Sequence, residues 1–254
     1  MTRGTAMYTV GEGRATYGHS IGIIMQHDGL IRLPGDVGNL TTYSFPVTFR
    51  VLHDFPMSAM MTPQLTDHAD CFIEAARDLV AMGCTAISAG CGFAALMQPL
   101  VAAAVDVPVA LSALIQVPLV SAMLPPGKKV GIITANGERL TEAHYNAVGW
   151  SSSQIPVAMI GIEEDYHGDF SRHNLLRVEA DPAVIPKMEA SMIRLAQKLV
   201  AQEPAVGAIV LECTNMPPFA AGVQRAVNLP VFDIVTLINM LHESVTRRPY
   251  TGHC

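Results

Sequence analysis

From residue 21 onward this chain of 254 residues reads as an α/β protein of two pseudo-symmetric lobes, each a parallel sheet with helices, and an active site in the cleft between them. Short apolar strands alternate with amphipathic helical segments, the pattern of βαβ units. Twice, a helical segment feeds an apolar strand that stops on a cysteine. A fixed shift of 122 positions (213 minus 91) then superimposes the two copies with seven identities and no gap.

IGIIM (21–25) and VGIIT (130–134) are short, apolar and β-branched, and each opens one copy. Ala69, Phe72, Ala76, Leu79 and Val80 recur every three to four residues. They mark one face of a helix that starts after Thr62-Pro63 and stops at Gly83. Met188, Met192, Leu195 and Leu199 repeat the pattern before Pro204. The strands fed by these helices are CTAISAG (84–90) and AVGAIVLE (205–212). The seven identities pair Ala86 with Ala208, Ile87 with Ile209, Cys91 with Cys213, Ala104 with Ala226, Val105 with Val227, Pro108 with Pro230 and Val109 with Val231. The first strands correspond with a different shift, 109 (131 minus 22), so the intervening lengths differ. The expected organisation is an arm over 1–20, a first lobe over 21–124 plus 229–254, and a second lobe over 125–228.

Composition narrows the function classes. Half the residues are hydrophobic and 15% are charged, as suits a covered parallel sheet. A net charge of -6 and scattered basic residues give no footprint for nucleic acid. The apolar stretch Pro99–Pro126 is interrupted by Asp106, Pro108, Gln116 and Pro118, too soon for the roughly 20 residues of a membrane span. Five cysteines without metal-type spacing read as free thiols in a reducing, cytoplasmic setting, and the polar N-terminal stretch does not read as a secretory leader. No metal and no cofactor are expected: the four lysines lie on expected surfaces, and Pro-Gly-Lys-Lys (126–129) lacks the glycine and Ser/Thr of a phosphate loop. The G-x-S-x-G around Ser20 precedes a strand instead of following one, the reverse of a hydrolase elbow. The apolar LSALIQVPLVSAML segment suggests an interface in a homo-oligomer.

The chemistry is expected at Cys91 and Cys213. In open α/β sheets ligands sit beyond the carboxyl ends of strands, where unpaired N–H groups lower a thiol pKa and bind carboxylates. Two thiols on opposite faces of an acidic carbon suit two-base proton transfer. A buried cysteine is also an ordinary small core residue, the reading kept for Cys71 and Cys84; Cys254 is terminal. Gly92 allows close backbone approach to a ligand, and with Phe93, Thr214 and Asn215 it forms the expected substrate-binding surround. Asp36 and Asn39 in LPGDVGN are further candidate contacts, with ordinary turn roles as the alternative. Glu212, next to Cys213 on an extended strand, is expected to point away from it in a structural role, and Gln116 to be a satisfied helix-end amide.

LECTNMPP late in the chain, with a cysteine after the first-lobe strand, resembles the cofactor-independent aspartate/glutamate racemase superfamily from about residue 20 onward. That resemblance implies that Cys213-Thr214 matches the family's C-T pair, whose threonine binds the substrate carboxylate. It also implies that Thr134 and Asn136 of TANG line the cleft and bind substrate, with a polar turn carrying an Asn-Gly signal as the alternative. Cys91-Gly92-Phe93 departs from the Asn and Thr/Ser that usually come after the first cysteine. GCGF, ALIQVP, TANGERL, LECTNMPP and LPVFD look closer to the branch that contains algal dimethylsulfoniopropionate lyases, which use the cysteine base for β-elimination. The leading expectation is a racemase or epimerase of a small carboxylate, such as an acidic amino acid. A β-eliminating lyase and a non-catalytic small-molecule binding module are the alternatives.

Overall fold

The computed structural model describes residues 16–165, 168, 170 and 182–250. Cys254 and residues 1–15 of the expected arm lie outside them. The first sheet holds β1 (Ile21–Gln26), β2 (Val47–Leu52), β3 (Ala86–Ala89) and β4 (Val109–Ala110), and the second holds β5 (Lys129–Thr134), β6 (Val157–Gly161), β7 (Val206–Leu211) and β8 (Val231–Phe232). Both are all-parallel, with orders β2-β1-β3-β4 and β6-β5-β7-β8. The two-sheet α/β architecture expected from the alternating segments is therefore borne out.

The internal duplication extends to register. Gly22 pairs with Ile87 and Ile87 with Val109; Gly131 pairs with Ile209 and Ile209 with Val231. These are the shifts of 109 and 122 read from the chain. Even the crossover bonds repeat: Ile87 N donates to Pro108 O at 2.9 Å, and Ile209 N to Pro230 O at 2.8 Å.

Helices α1 (Ala69–Met82), α2 (Gln98–Ala102), α3 (Val117–Met123) and α4 (Glu142–Ala147) precede α5 (Ile185–Gln202), α6 (Ala220–Val227) and α7 (Ile234–Val245). Helix α1 begins six residues later than the Thr62-Pro63 signal suggests, because Pro63–His68 forms a 3-10 turn first. It ends at Gly83, whose φ of 111° is the left-handed conformation that favours glycine. Fully buried Leu79 of α1 lies where a Cβ on Gly22 would be 2.9 Å away, and Leu199 of α5 stands 3.0 Å from the equivalent point on Gly131. Each helix thus sits against a glycine at the centre of its sheet, and burying such a leucine contributes about 1.5–3 kcal/mol.

Alternation along β1 gives it two covered faces. Ile24 joins the main core, while Ile21, Ile23 and Met25 pack with Ile234, Leu237 and Ile238 of α7. Residues 229–232 stay with the second sheet through β8, and the chain returns to the first sheet with α7, capped by Asp233. Gln116 anchors the return: its Nε2 donates to Asp233 O at 2.8 Å and its Oε1 accepts from Thr236 Oγ1 at 3.1 Å. Ser20 has a related role, with its hydroxyl 2.7 Å from Nδ1 of buried His242 in α7. No helix of the described residues is long and apolar enough to cross a membrane.

Candidate active site

Strands β3 and β7 end side by side in equivalent positions, and beyond their carboxyl ends lies a cavity of about 230 Å³. Cys91 and Cys213 both line it, with Gly90, Gly92, Phe93, Thr214 and Asn215 from the same two turns. Gln26, Asp28, a methionine wall (Met57, Met60, Met61), Arg139 and Glu212 complete most of the lining. The cavity is smaller than the roughly 300–1,000 Å³ pockets of drug-sized ligands, so it suits a small molecule.

The turns are locked to each other across the lobes. Thr214 Oγ1 donates to Gly90 O at 2.6 Å, and Asn215 Nδ2 donates to Asp36 Oδ2 at 2.7 Å. Asp36 is held in turn by Gly38 N at 2.8 Å and by Arg32 at 3.2 Å; Arg32 also grips Asp28 at 2.6 Å. One chain of polar contacts thus runs from the residue two beyond Cys213 back to the cavity wall at Asp28.

Both thiols are held in their protonated state. Desolvation, and after it the negative charge of Glu212, pushes Cys91 up to about 12, and the Phe93 backbone N–H only partly offsets this. The same two effects raise Cys213 well above the ordinary thiol range, with the Asn215 N–H working against them. The expected lowering at a helix N-terminus does not occur. Cys91 leads into a 3-10 turn, Gly92–Met97, and Cys213 leads through a turn into the short 3-10 segment Pro217–Phe219. Single N–H groups in such turns do not outweigh burial beside a carboxylate.

Glu212 differs most from its expected role. Its side chain is fully buried, and the residue lines the cavity. Oε2 accepts from Thr134 Oγ1 at 2.8 Å and from Ala135 N at 3.2 Å, while Oε1 has no hydrogen-bond partner among the described residues. A Cβ on Gly92 would collide with that free oxygen, so only glycine fits there. Burial raises the Glu212 carboxyl to about 7 against these two donors.

Several expected contacts lie off the cavity. Thr134 is buried beneath Glu212, and Asn136 closes its own turn by accepting from Arg139 N at 2.9 Å. Asn39 caps the 3-10 turn Leu40–Thr42 and donates to Arg32 O, and Asp36 reaches the site indirectly, through Asn215 and through Arg32 to Asp28. Strand alternation locates a residue on a strand but does not say which loop it meets; the turn chemistry of Asn136 and Asn39 satisfies their side chains locally. Conversely, Gln26, Glu212 and Arg139 line the cavity without being expected there. The first two are polar residues ending apolar strands, where ligands sit in α/β sheets, and that signal could have found them. Gln26 is buried, and its Nε2 has no hydrogen-bond partner among the described residues.

No family model matches the chain. In sequence it is 30% identical over 239 residues to dimethylsulfoniopropionate lyase 3 of Emiliania huxleyi, a match covering 88% of this chain and 61% of that protein's length. In fold it is similar to a glutamate racemase of Bacillus anthracis, with a TM-score of 0.58, 12% identity, and coverage of 90% of this chain and 84% of that one. It is also similar to an unliganded arylmalonate decarboxylase, with a TM-score of 0.56, 16% identity, and coverage of 92% and 97%. The resemblance read from LECTNMPP and GCGF is borne out on both counts.

Proposed function

We propose that this chain, an isomerase or lyase of the aspartate/glutamate racemase superfamily, uses a cysteine thiolate to take the proton next to a carboxylate and expels a β-substituent. The observation that carries this is the meeting of Cys91 and Cys213, from equivalent strand ends, in one small cavity. Sequence likeness to dimethylsulfoniopropionate lyases favours elimination over racemisation.

The lining suits a zwitterion. Arg139 is the one cation among the described lining residues and makes no ion pair within them, so its guanidinium is free for a substrate carboxylate. Gln26 Nε2 offers a second donor. The polarisable methionine wall and the Glu212 carboxylate favour a sulfonium group, while Asp28 is already paired with Arg32. A cation bound beside a neutral thiol also favours its ionisation. The thiolate then forms an S–H bond as the C–H bond breaks. That electron pair becomes the C=C bond, and the C–S bond breaks toward the sulfide. From dimethylsulfoniopropionate the products are dimethyl sulfide, acrylate and one proton.

Racemisation is the second reading, because a second thiol in the same cavity can return a proton from the other face. The test is proton NMR in deuterated water with dimethylsulfoniopropionate, aspartate, glutamate and simple β-substituted propionates. Vinyl signals are expected, and either Cys91→Ser or Cys213→Ser abolishes them. Exchange with inversion and no vinyl product would overturn elimination in favour of racemisation. Saturable binding without turnover, surviving both substitutions, would leave only a binding module.

A further inference from the structure

The two thiols share a cavity, but only one has a side-chain acceptor. Cys213 Sγ lies 3.7 Å from Asn215 Oδ1, within reach for a sulfhydryl donor, whereas Cys91 has no side-chain hydrogen-bond partner among the described residues. We infer that Asn215 is the positioning residue of Cys213 and not a substrate contact: its amide oxygen accepts from the sulfhydryl, keeps that thiol neutral and leaves Cys91 as the base. This inference rests on the proton-abstraction reading above.

The amide has one orientation. Its Nδ2 donates to Asp36 Oδ2 at 2.7 Å, and the same carboxylate accepts from Gly38 N at 2.8 Å and from Arg32 at 3.2 Å. Turning the amide over would set Oδ1 against Asp36 Oδ2, two acceptors facing each other in a buried place. Nδ2 therefore stays on the Asp36 side and Oδ1 on the Cys213 side. A substrate carboxylate would have to compete with Asp36 for this amide.

An amide oxygen only accepts. It bonds a thiol and repels a thiolate, so the contact favours the S–H state. The backbone N–H of Asn215 acts the other way on Cys213, as that of Phe93 does on Cys91. Those two donors correspond under the shift of 122; the side-chain oxygen is what the second lobe adds, since its counterpart is a phenylalanine. The charged and titratable groups around Cys213 are Glu212 before it, Cys91 in the same cavity, Asp36 behind Asn215, and Asp28 and Arg139 on the cavity wall. Of these, Arg139 alone favours a Cys213 thiolate. The division of roles fits elimination: the Cys91 thiolate takes the substrate proton, Cys213 keeps its own, and no second thiolate opposes the substrate carboxylate. A distance of 3.7 Å suits sulfur. A serine oxygen, on a shorter bond to Cβ, falls short of Asn215, in keeping with the loss of turnover expected for Cys213→Ser.

The test has a leg without substrate. Infrared spectra in the S–H stretching region, each taken against its own Cys213→Ser counterpart, isolate the Cys213 band from that of Cys71, which donates to His68 O. In wild type the band is expected below the frequency of the thiols in the unfolded chain, as for a bonded donor. Asn215→Ala moves it up to that frequency. Asp36→Ala, which leaves Asn215 in place but unfixed, shifts it the same way and serves if the first variant does not fold. A Cys213 band at the free-thiol frequency in wild type overturns the inference. Turnover reads the role: Asn215→Ala lowers kcat about tenfold or more and changes KM less than about twofold, because the thiol loses its setting and the substrate loses no contact. A rise in KM of about tenfold would make Asn215 a substrate contact, and an unchanged kcat would make the amide idle; either result overturns the inference. The infrared leg is readable even if wild type shows no elimination, so failure here is distinct from failure of the proposed function.

Discussion

Glu212→Gln has a consequence for stability that requires no substrate. The carboxyl ionises near 4.5 in an unfolded chain and near 7 in the folded one, where burial outweighs its two donors. Between those values the folded chain binds the extra proton, so the protonated group favours folding fully below pH 4.5, and that contribution is lost as pH rises through 7. At 1.36 kcal/mol for each pH unit, the gap from 4.5 to 7 corresponds to about 3 kcal/mol at pH 8. Glutamine keeps the acceptor for Thr134 and Ala135 and carries no charge. The variant is therefore expected to match wild type at pH 4 and to exceed it by about 2–3 kcal/mol at pH 8. Urea denaturation of both chains from pH 4 to 9 measures this. Asp36, Asp233 and His144 are also shifted by burial, but they are common to both chains and cancel in the difference. Stability curves that run parallel across the whole range would refute the assignment of a buried, ionisable carboxyl.

Three further substitutions probe the rest of the site. Gly92→Ala drives a Cβ into the Glu212 carbonyl oxygen, a backbone contact that has to open before the methyl fits; a loss of about 1–3 kcal/mol in denaturation and a marked drop in turnover are expected, against unchanged values if the turn is loose. Asp36→Ala strands Asn215 Nδ2 and one nitrogen of Arg32, each costing about 1–3 kcal/mol by urea titration; a loss below about 1 kcal/mol would mean that this network holds nothing. Arg139→Ala removes an exposed side chain with no ion pair among the described residues, so the melting temperature stays put while KM for a carboxylate substrate rises about tenfold or more; unchanged KM would remove Arg139 from substrate binding.

The frame was legible because it is written in local patterns: apolar runs, helical spacing and the repeated cysteine after each feed. The shift from Cys91 to Cys213 even specifies the pairing of Ile87 with Val109 and of Ile209 with Val231. The surroundings of the thiols were less so, since they depend on contacts between residues far apart in the chain. Thr214 is expected to bind a substrate carboxylate, yet its hydroxyl donates to Gly90 O. Asn215 is tied to Asp36, 179 positions away. The direction of the thiol shifts was missed for a related reason. Short-range N–H groups can be read from turn residues, but desolvation, and the charge of Glu212 beside Cys91, depend on both lobes meeting around the cavity.

The duplication also shows where the halves part. Under the shift of 122, Glu212 corresponds to Gly90, Thr214 to Gly92 and Asn215 to Phe93. The first lobe supplies two glycines and an aromatic ring; the second supplies a carboxyl, a hydroxyl and an amide. These fit into one another, with Thr214 bound to the Gly90 carbonyl and the Glu212 carboxylate against Gly92. A symmetric two-base isomerase needs comparable acid and base settings on both faces of its substrate, because it must run the reaction in either direction. Here the thiols are equivalent in the backbone and unequal in their surroundings, with a buried carboxyl at Glu212 and glycine in the matching position of the other lobe. That inequality suits a reaction in which a proton is taken from one face and lost to solvent, as in β-elimination. Placing a carboxylate at position 90 would test it: Gly90→Glu has to displace Met25, whose sulfur lies 2.5 Å from the Cβ position, so folding is checked first by circular dichroism. In a folded variant, elimination is expected to fall without any gain in exchange with inversion; a gain would show that symmetry of the thiols alone decides the reaction.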